Sequence, residues 1–89
     1  MPVVRIPTPL RPHAGGLDRV DANGSTVGEV LSQLGEQYPA IRERLFDGDE
    51  LRRFVNVYVN NEDIRYLEEL ATPVAVSDEV SIIPAVAGG

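Results

Sequence analysis

The chain has 89 residues, of which 43% are hydrophobic and 25% charged, with a formal charge of −6 and no cysteine. That length fits one domain, burying on folding nearly two-thirds of the roughly 14,000 Å² that the unfolded chain exposes, and no apolar run approaches the roughly 20 residues that cross a bilayer. A second domain, a membrane span, a disulfide framework and thiolate chemistry are excluded, and the negative charge disfavours nucleic acid and anionic membranes in favour of a partner with a basic docking surface.

Val3 to Ile6 is short and β-branched and closes at Pro7, which predicts a first strand followed by a Pro- and Gly-punctuated connection through Gly16. Residues 1–10, with Arg5 and three prolines, form no secretory apolar segment, so a cytoplasmic address is expected. Leu17 to Ala22 reads as a second strand. Asn23-Gly24 signals a turn, and Ser25 is placed to cap the helix that follows. Val27, Val30, Leu31, Leu34 and Tyr38 then form one stripe at helical period, directed at a sheet. Pro39 ends that helix, and Ile41 with Leu45 suggests a further turn or short helix before an exposed turn at Asp47 to Glu50.

Phe54 to Asn60 alternates as a half-buried strand, with Val55, Val57 and Val59 facing the helix. Asn60-Asn61 reverses the chain, and Ile64 is expected on a brief return strand. Leu67, Leu70 and Val74 mark a compact, partly helical connection to a turn at Ser77-Asp78. Val80 and Ile82 point inward from a last strand and Ile83 outward, until Pro84 withdraws a backbone donor. One long helix and a mixed sheet of four to five strands around it make an α+β fold, a β-grasp, over residues 1–83. Residues 84–89 form a flexible C-terminal tail.

Few side chains are equipped for catalysis. All eight basic residues are arginine, which removes a phosphate-loop lysine and any Schiff base. His13, the single histidine, reads as a solvated loop residue. Gly24-Ser25-Thr26-Val27-Gly28 has the wrong spacing for a nucleophile elbow, and Asp47-Gly48-Asp49-Glu50 fails as a calcium loop at Leu51. No metal site and no catalytic residue of the chain's own is expected. What remains is Ala85-Val86-Ala87-Gly88-Gly89, an uncharged probe of small residues that can enter a narrow channel in another protein and carry a carboxylate with it.

The segments Val55 to Asn60 and Asp78 to Gly89 resemble those of the ubiquitin-like sulfur carriers, the family of the thiamine-biosynthesis carrier and the small subunit of molybdopterin synthase. Ile6-Pro7-Thr8, Leu10-Arg11-Pro12-His13, Arg53 to Asn56 and Pro84 to Gly89 look most like its cysteine-biosynthesis branch. One departure is Ser77, where many relatives carry glycine.

The resemblance implies a β-grasp carrier and not an enzyme. An E1-like partner using ATP and magnesium would adenylate Gly89, and a sulfur donor would convert it to a thiocarboxylate. A pyridoxal-phosphate-dependent cysteine synthase would accept the sulfur, and a zinc-dependent peptidase of JAMM type would regenerate the terminus. The carrier itself would bind no cofactor. Ala85, Val86, Ala87 and Gly88 would enter the partner, and Phe54, Tyr58, Ile83 and Pro84 would form a partner-binding face, unless the 67–76 connection covers it. The alternatives left open are a protein modifier conjugated through Gly89, a molybdopterin synthase subunit, and an interaction module whose tail has no chemistry.

Overall fold

The computed structural model describes residues 1–84. Its strands are β1 (Val3–Arg5), β2 (Arg19–Asp21), β3 (Phe46–Asp47), β4 (Glu50–Leu51), β5 (Val55–Val59), β6 (Glu62–Asp63) and β7 (Glu79–Pro84), with helices α1 (Val27–Gln37) and α2 (Pro39–Leu45). A five-stranded sheet has the order β2-β1-β7-β5-β6, and β3 pairs with β4 as a separate two-stranded hairpin. β1 runs parallel to β7, and the other pairings are antiparallel. This is the mixed sheet that the alternation patterns lead one to expect. β7 is a central strand, between β1 and β5.

The core lies between the sheet and α1. Val27, Val30, Leu31 and Leu34 are fully buried, as are Val4 and Val80 from the sheet, with Val57 and Ile82 nearly so. Tyr38 of the expected stripe is only partly buried, because it stands outside α1 with φ of −134°. The following Pro39 disfavours helical backbone at this residue, and the chain restarts as α2 with Pro39 in its first turn. The short helix expected around Ile41 and Leu45 is present, and both side chains are buried.

Four local readings are corrected. The connection after β1 is a 3₁₀ helix over Thr8–Ala14, capped by Pro7, with Pro9 in its first turn and Pro12 inside it, and closed by Gly15 at φ +66°; it buries Leu10 and Ala14 in the core. His13 therefore belongs to a 3₁₀ helix and is half-buried, and is not a solvated loop residue. The cap of α1 is Thr26, whose Oγ1 accepts from the Glu29 N–H at 3.2 Å, and not Ser25. Ser25 instead donates through both its N–H and its hydroxyl to the Glu29 carboxylate, each at 3.0 Å. Finally, the return strand is Glu62–Asp63; Ile64 opens a 3₁₀ turn over Ile64–Tyr66, where the Asp63 carboxylate accepts from the Arg65 N–H.

The Asp47–Glu50 segment is exposed as expected and turns the β3–β4 hairpin, with Gly48 at φ +68°. Ser77 has no positive φ, so the turn before β7 does not require the glycine found there in many relatives. That turn is held by Asp78, whose N–H donates to the Ala75 carbonyl and whose carboxylate accepts from the Ala75 N–H.

Candidate functional site

Alternation along β7 places Val80 and Ile82 in the core and leaves Ile83 47% exposed on the opposite face. In the register, Ile83 lies opposite Asn56, Ile82 opposite Val57, and Pro84 opposite Val55. Pro84, where the tail was expected to begin, is the last residue of β7. A proline is tolerated there because the strand's hydrogen-bonded ladder needs no further donor from it.

The connection between β6 and β7 does not cover the face opposite the helices. It packs on α1: the Val27 N–H donates to the Thr72 carbonyl, the Val74 N–H donates to the Ser25 carbonyl, and a Cβ on Gly28 would stand 3.2 Å from the Leu70 carbonyl oxygen. Thr72 is tied in by its own hydroxyl, which donates to the Glu69 carbonyl and accepts from the Glu68 N–H. Among the described residues, this connection therefore leaves the sheet face bearing Ile83 uncovered.

The four residues expected to form a docking face do not all meet. Phe54, 49% exposed, lies just before β5 and shares a groove of about 310 Å³ with Pro84, Leu10, Arg44 and Arg52. Ile83 lines a second hollow of about 320 Å³ with Arg5, Pro7, Thr8 and Arg11. Both hollows touch Ile82, so they flank the end of β7. Tyr58 is apart from them: it is half-buried, opposite Ser81 on one side and Asp63 on the other. Leu10, Arg11, Arg44 and Arg52 at this rim were not singled out from the sequence as site residues. Arg11 carried a signal, because it sits in the Leu10-Arg11-Pro12 motif; nothing local marks Arg44 or Arg52, which fold back from the α2 and β4 region.

Gly89 and the segment Ala85, Val86, Ala87 and Gly88 lie outside the described residues. Among the described residues no three His, Asp or Glu side chains gather as a metal site, and no helix is long and apolar enough to cross a membrane. Two carboxylates have their acidity strengthened, for local reasons. Glu29 is held below its ordinary range by hydrogen bonds from the Ser25 N–H and hydroxyl. Asp63 is held low by the Arg65 guanidinium and backbone N–H, at 2.8 Å for the ion pair. Both fix turns, and neither lines the hollows beside β7.

The model of the ThiS family matches residues 4–89, which includes the Gly88-Gly89 pair. The chain is 54% identical to the sulfur carrier protein CysO of Mycobacterium tuberculosis over 89 aligned positions, covering 97% of this chain and 96% of that one. Among solved structures, a chain of the Amycolatopsis orientalis BexX/CysO complex superposes with a TM-score of 0.93 at 44% identity, covering the whole of both chains. The solution structure of small archaeal modifier protein 1 from Methanosarcina acetivorans gives 0.88 at 36% identity, covering 98% of this chain and 94% of that one. With the β-grasp sheet, the central β7 and a family match running from the first strand through the glycine pair, the chain belongs to the ThiS family.

Proposed function

We propose that this protein is a sulfur carrier that holds sulfur as a thiocarboxylate on Gly89 and delivers it for cysteine biosynthesis. The observation that carries the reading is the near full-length identity to a sulfur carrier, 54% over 97% of the chain, together with the family match through Gly89. The fold supports it physically: β7 is gripped between β1 and β5 up to Pro84, so whatever follows starts from a rigid base beside Phe54.

A carboxylate is ionised at neutral pH and is a poor electrophile, so it requires activation. An E1-like partner supplies ATP and magnesium; the Gly89 carboxylate attacks the α-phosphorus, pyrophosphate leaves, and an acyl adenylate results. A sulfur donor then attacks the carbonyl carbon, the C–S bond forms, and the bond to AMP breaks. With a persulfide donor, a thiol reductant cleaves the S–S bond and frees the thiocarboxylate. Its nucleophilic sulfur would form a C–S bond at Cβ of an activated serine held by a pyridoxal-phosphate-dependent enzyme, the activating group leaving with the serine oxygen. The resulting thioester would pass its acyl group from sulfur to the cysteine amine, and a zinc-dependent peptidase would add water across that amide, releasing cysteine and restoring the Gly89 carboxylate. In this cycle the chain acts as a cosubstrate: it presents the reacting group, and the metal ions and cofactors belong to its partners.

All eight basic residues being arginine suits this chemistry, since a guanidinium stays protonated and does not capture an activated acyl group as a lysine amine would. Ala85, Val86, Ala87 and Gly88 form the probe that enters each partner, with Phe54, Ile83 and Pro84 at its base; Tyr58 contributes from further along the sheet.

The test is the intact mass of the protein isolated from its own host, which carries an oxygen-to-sulfur increment localised to Gly89. One extra residue appended after Gly89 abolishes the increment. Absence of the increment in wild-type protein while sulfur assimilation is active would overturn the proposal. The similarity to the archaeal modifier favours a second reading, conjugation through Gly89 to target lysines. A ladder of higher-mass species that survives thiol reductants would favour that reading.

A further inference from the structure

We propose that Arg11 and Arg52 are paired carboxylate receptors on either side of β7, and that they seat an acidic rim around the channel of the partner enzyme that receives the tail. The inference rests on the carrier reading for the identity of that partner. Its own grounds are the geometry of two guanidinium groups.

Arg11 Nε donates to the Ile6 carbonyl at 3.0 Å, and Arg52 Nε donates to the Glu43 carbonyl at 3.0 Å. Each bond spends the one secondary nitrogen on the chain's own backbone and fixes the plane of the fork. Among the described residues no hydrogen bond engages the terminal nitrogens of either fork, so they can meet an incoming carboxylate with part of the ordering already in place. Among the described residues, only Arg5 and Arg65 form ion pairs with carboxylates. Arg11 and Arg52 are also half-buried, so their surroundings screen an approaching charge less than bulk water does.

Arg11 lines the hollow containing Ile83, Arg52 lines the groove containing Phe54, and the two hollows are separated by β7 at Ile82. The two forks line different hollows that share only Ile82. They match two separate carboxylates on a collar around the departing chain, with Phe54, Leu10 and Pro84 providing the apolar contact between them. Arg44 borders the groove containing Phe54 and reinforces its positive sign, against Glu43 as the acid lining it; Arg5, which borders the other hollow, is already paired with Glu79. The far end of β7 has the opposite character, with Asp78 and Glu79 at its start. A chain whose net charge is −6 thus presents a positive rim where the tail leaves. The expectation of a basic partner surface, read from net charge, applies to the molecule as a whole and not to this end.

Binding of the full-length carrier to its adenylating enzyme is measured by calorimetry for wild type, for the double variant Arg11→Gln/Arg52→Gln, and for the double variant Glu62→Gln/Glu68→Gln far from the rim. The arginine variant is expected to lose roughly tenfold in affinity at low salt, with the gap closing near 1 M salt, and the glutamate variant to bind as wild type. Unchanged affinity in the arginine variant, or weakening in the glutamate variant alone, overturns the proposal while leaving thiocarboxylate formation intact. A hexaglutamate peptide titrated into wild-type protein gives an independent answer by NMR, free of any variant's folding and of the carrier reading. The Arg11 and Arg52 Nε–H signals are expected to shift ahead of those of Arg19 and Arg42. Uniform shifts across the arginines, no shifts, or shifts only with a single-stranded oligonucleotide count against it.

Discussion

Gly35 of α1 sits so close to Arg42 of α2 that a Cβ built on the glycine would stand 2.9 Å from the Arg42 Cβ. The turn at Tyr38-Pro39 folds α2 back onto α1, and the absence of a side chain at Gly35 sets how near the two backbones come. In an unconstrained helix interior, Gly→Ala stabilises by roughly 1 kcal/mol. Here overpacking costs about 1–3 kcal/mol, because the obstructing atom is attached directly to the α2 backbone and cannot swing aside. Gly35→Ala is therefore expected to lower the urea midpoint despite its better helix propensity. A raised midpoint would show that α2 is free to move away.

Asn60 closes the β5–β6 turn with φ of +57° and also clasps the start of β7. Its N–H donates to the Glu79 carbonyl at 2.7 Å, its side-chain carbonyl accepts from the Glu79 N–H, and its amide donates to the Asp78 carboxylate. Asn60→Gly keeps the backbone conformation and loses the side-chain bonds, whereas Asn60→Ala loses the bonds and strains the backbone as well. Chemical denaturation is expected to rank wild type above the glycine variant and the glycine variant above alanine, with about 1 kcal/mol between the two variants. Equal losses would show that the clasp matters and the backbone conformation does not.

Asp63 is buried, and its ion pair with Arg65 holds its carboxyl below the ordinary value of 3.8. A carboxyl with a lowered folded-state pKa binds protons less readily than in the unfolded chain, so its contribution is complete well above pH 3.8 and declines as acid is added below that value. Asp63→Asn can still accept from the Arg65 N–H but has no charge. Its stability is expected to depend less steeply on pH below 4 than that of wild type, as read from thermal midpoints between neutral and acidic buffers. Parallel curves would remove Asp63 from the acid response.

Phe54 is half exposed and contributes little to the core, so Phe54→Ala is expected to change stability by less than about 0.5 kcal/mol. As an aromatic at the rim beside Pro84, it is placed to anchor a partner. Under the proposed function, the variant accumulates several-fold less thiocarboxylate in the host while retaining the wild-type melting temperature. Wild-type yield would place the anchor elsewhere on the sheet.

The strands around Val3, Val55 and Val80, the α1 stripe and the glycine pair were legible in the sequence, because each is written in residues close together along the chain: period two for strands, period 3.6 for the helix. Order of pairing was not, since nothing local tells β7 to lie between β1 and β5. The 3₁₀ helix at Thr8–Ala14 was hidden for a related reason. Prolines mark a break in regular structure, but the burial of Leu10 and Ala14 depends on α2, which comes more than twenty residues later.

The candidate site divides in the same way. By itself, the sequence determined which reactive side chains exist: no thiol and no lysine amine, because residue identity alone decides that. Tertiary structure decided the surface around it. Arg11 and Arg52 are 41 positions apart and lie on either side of β7 only because the sheet and the α2–β4 return bring them there. The Nε bonds that orient them end on backbone carbonyls whose positions no local pattern specifies.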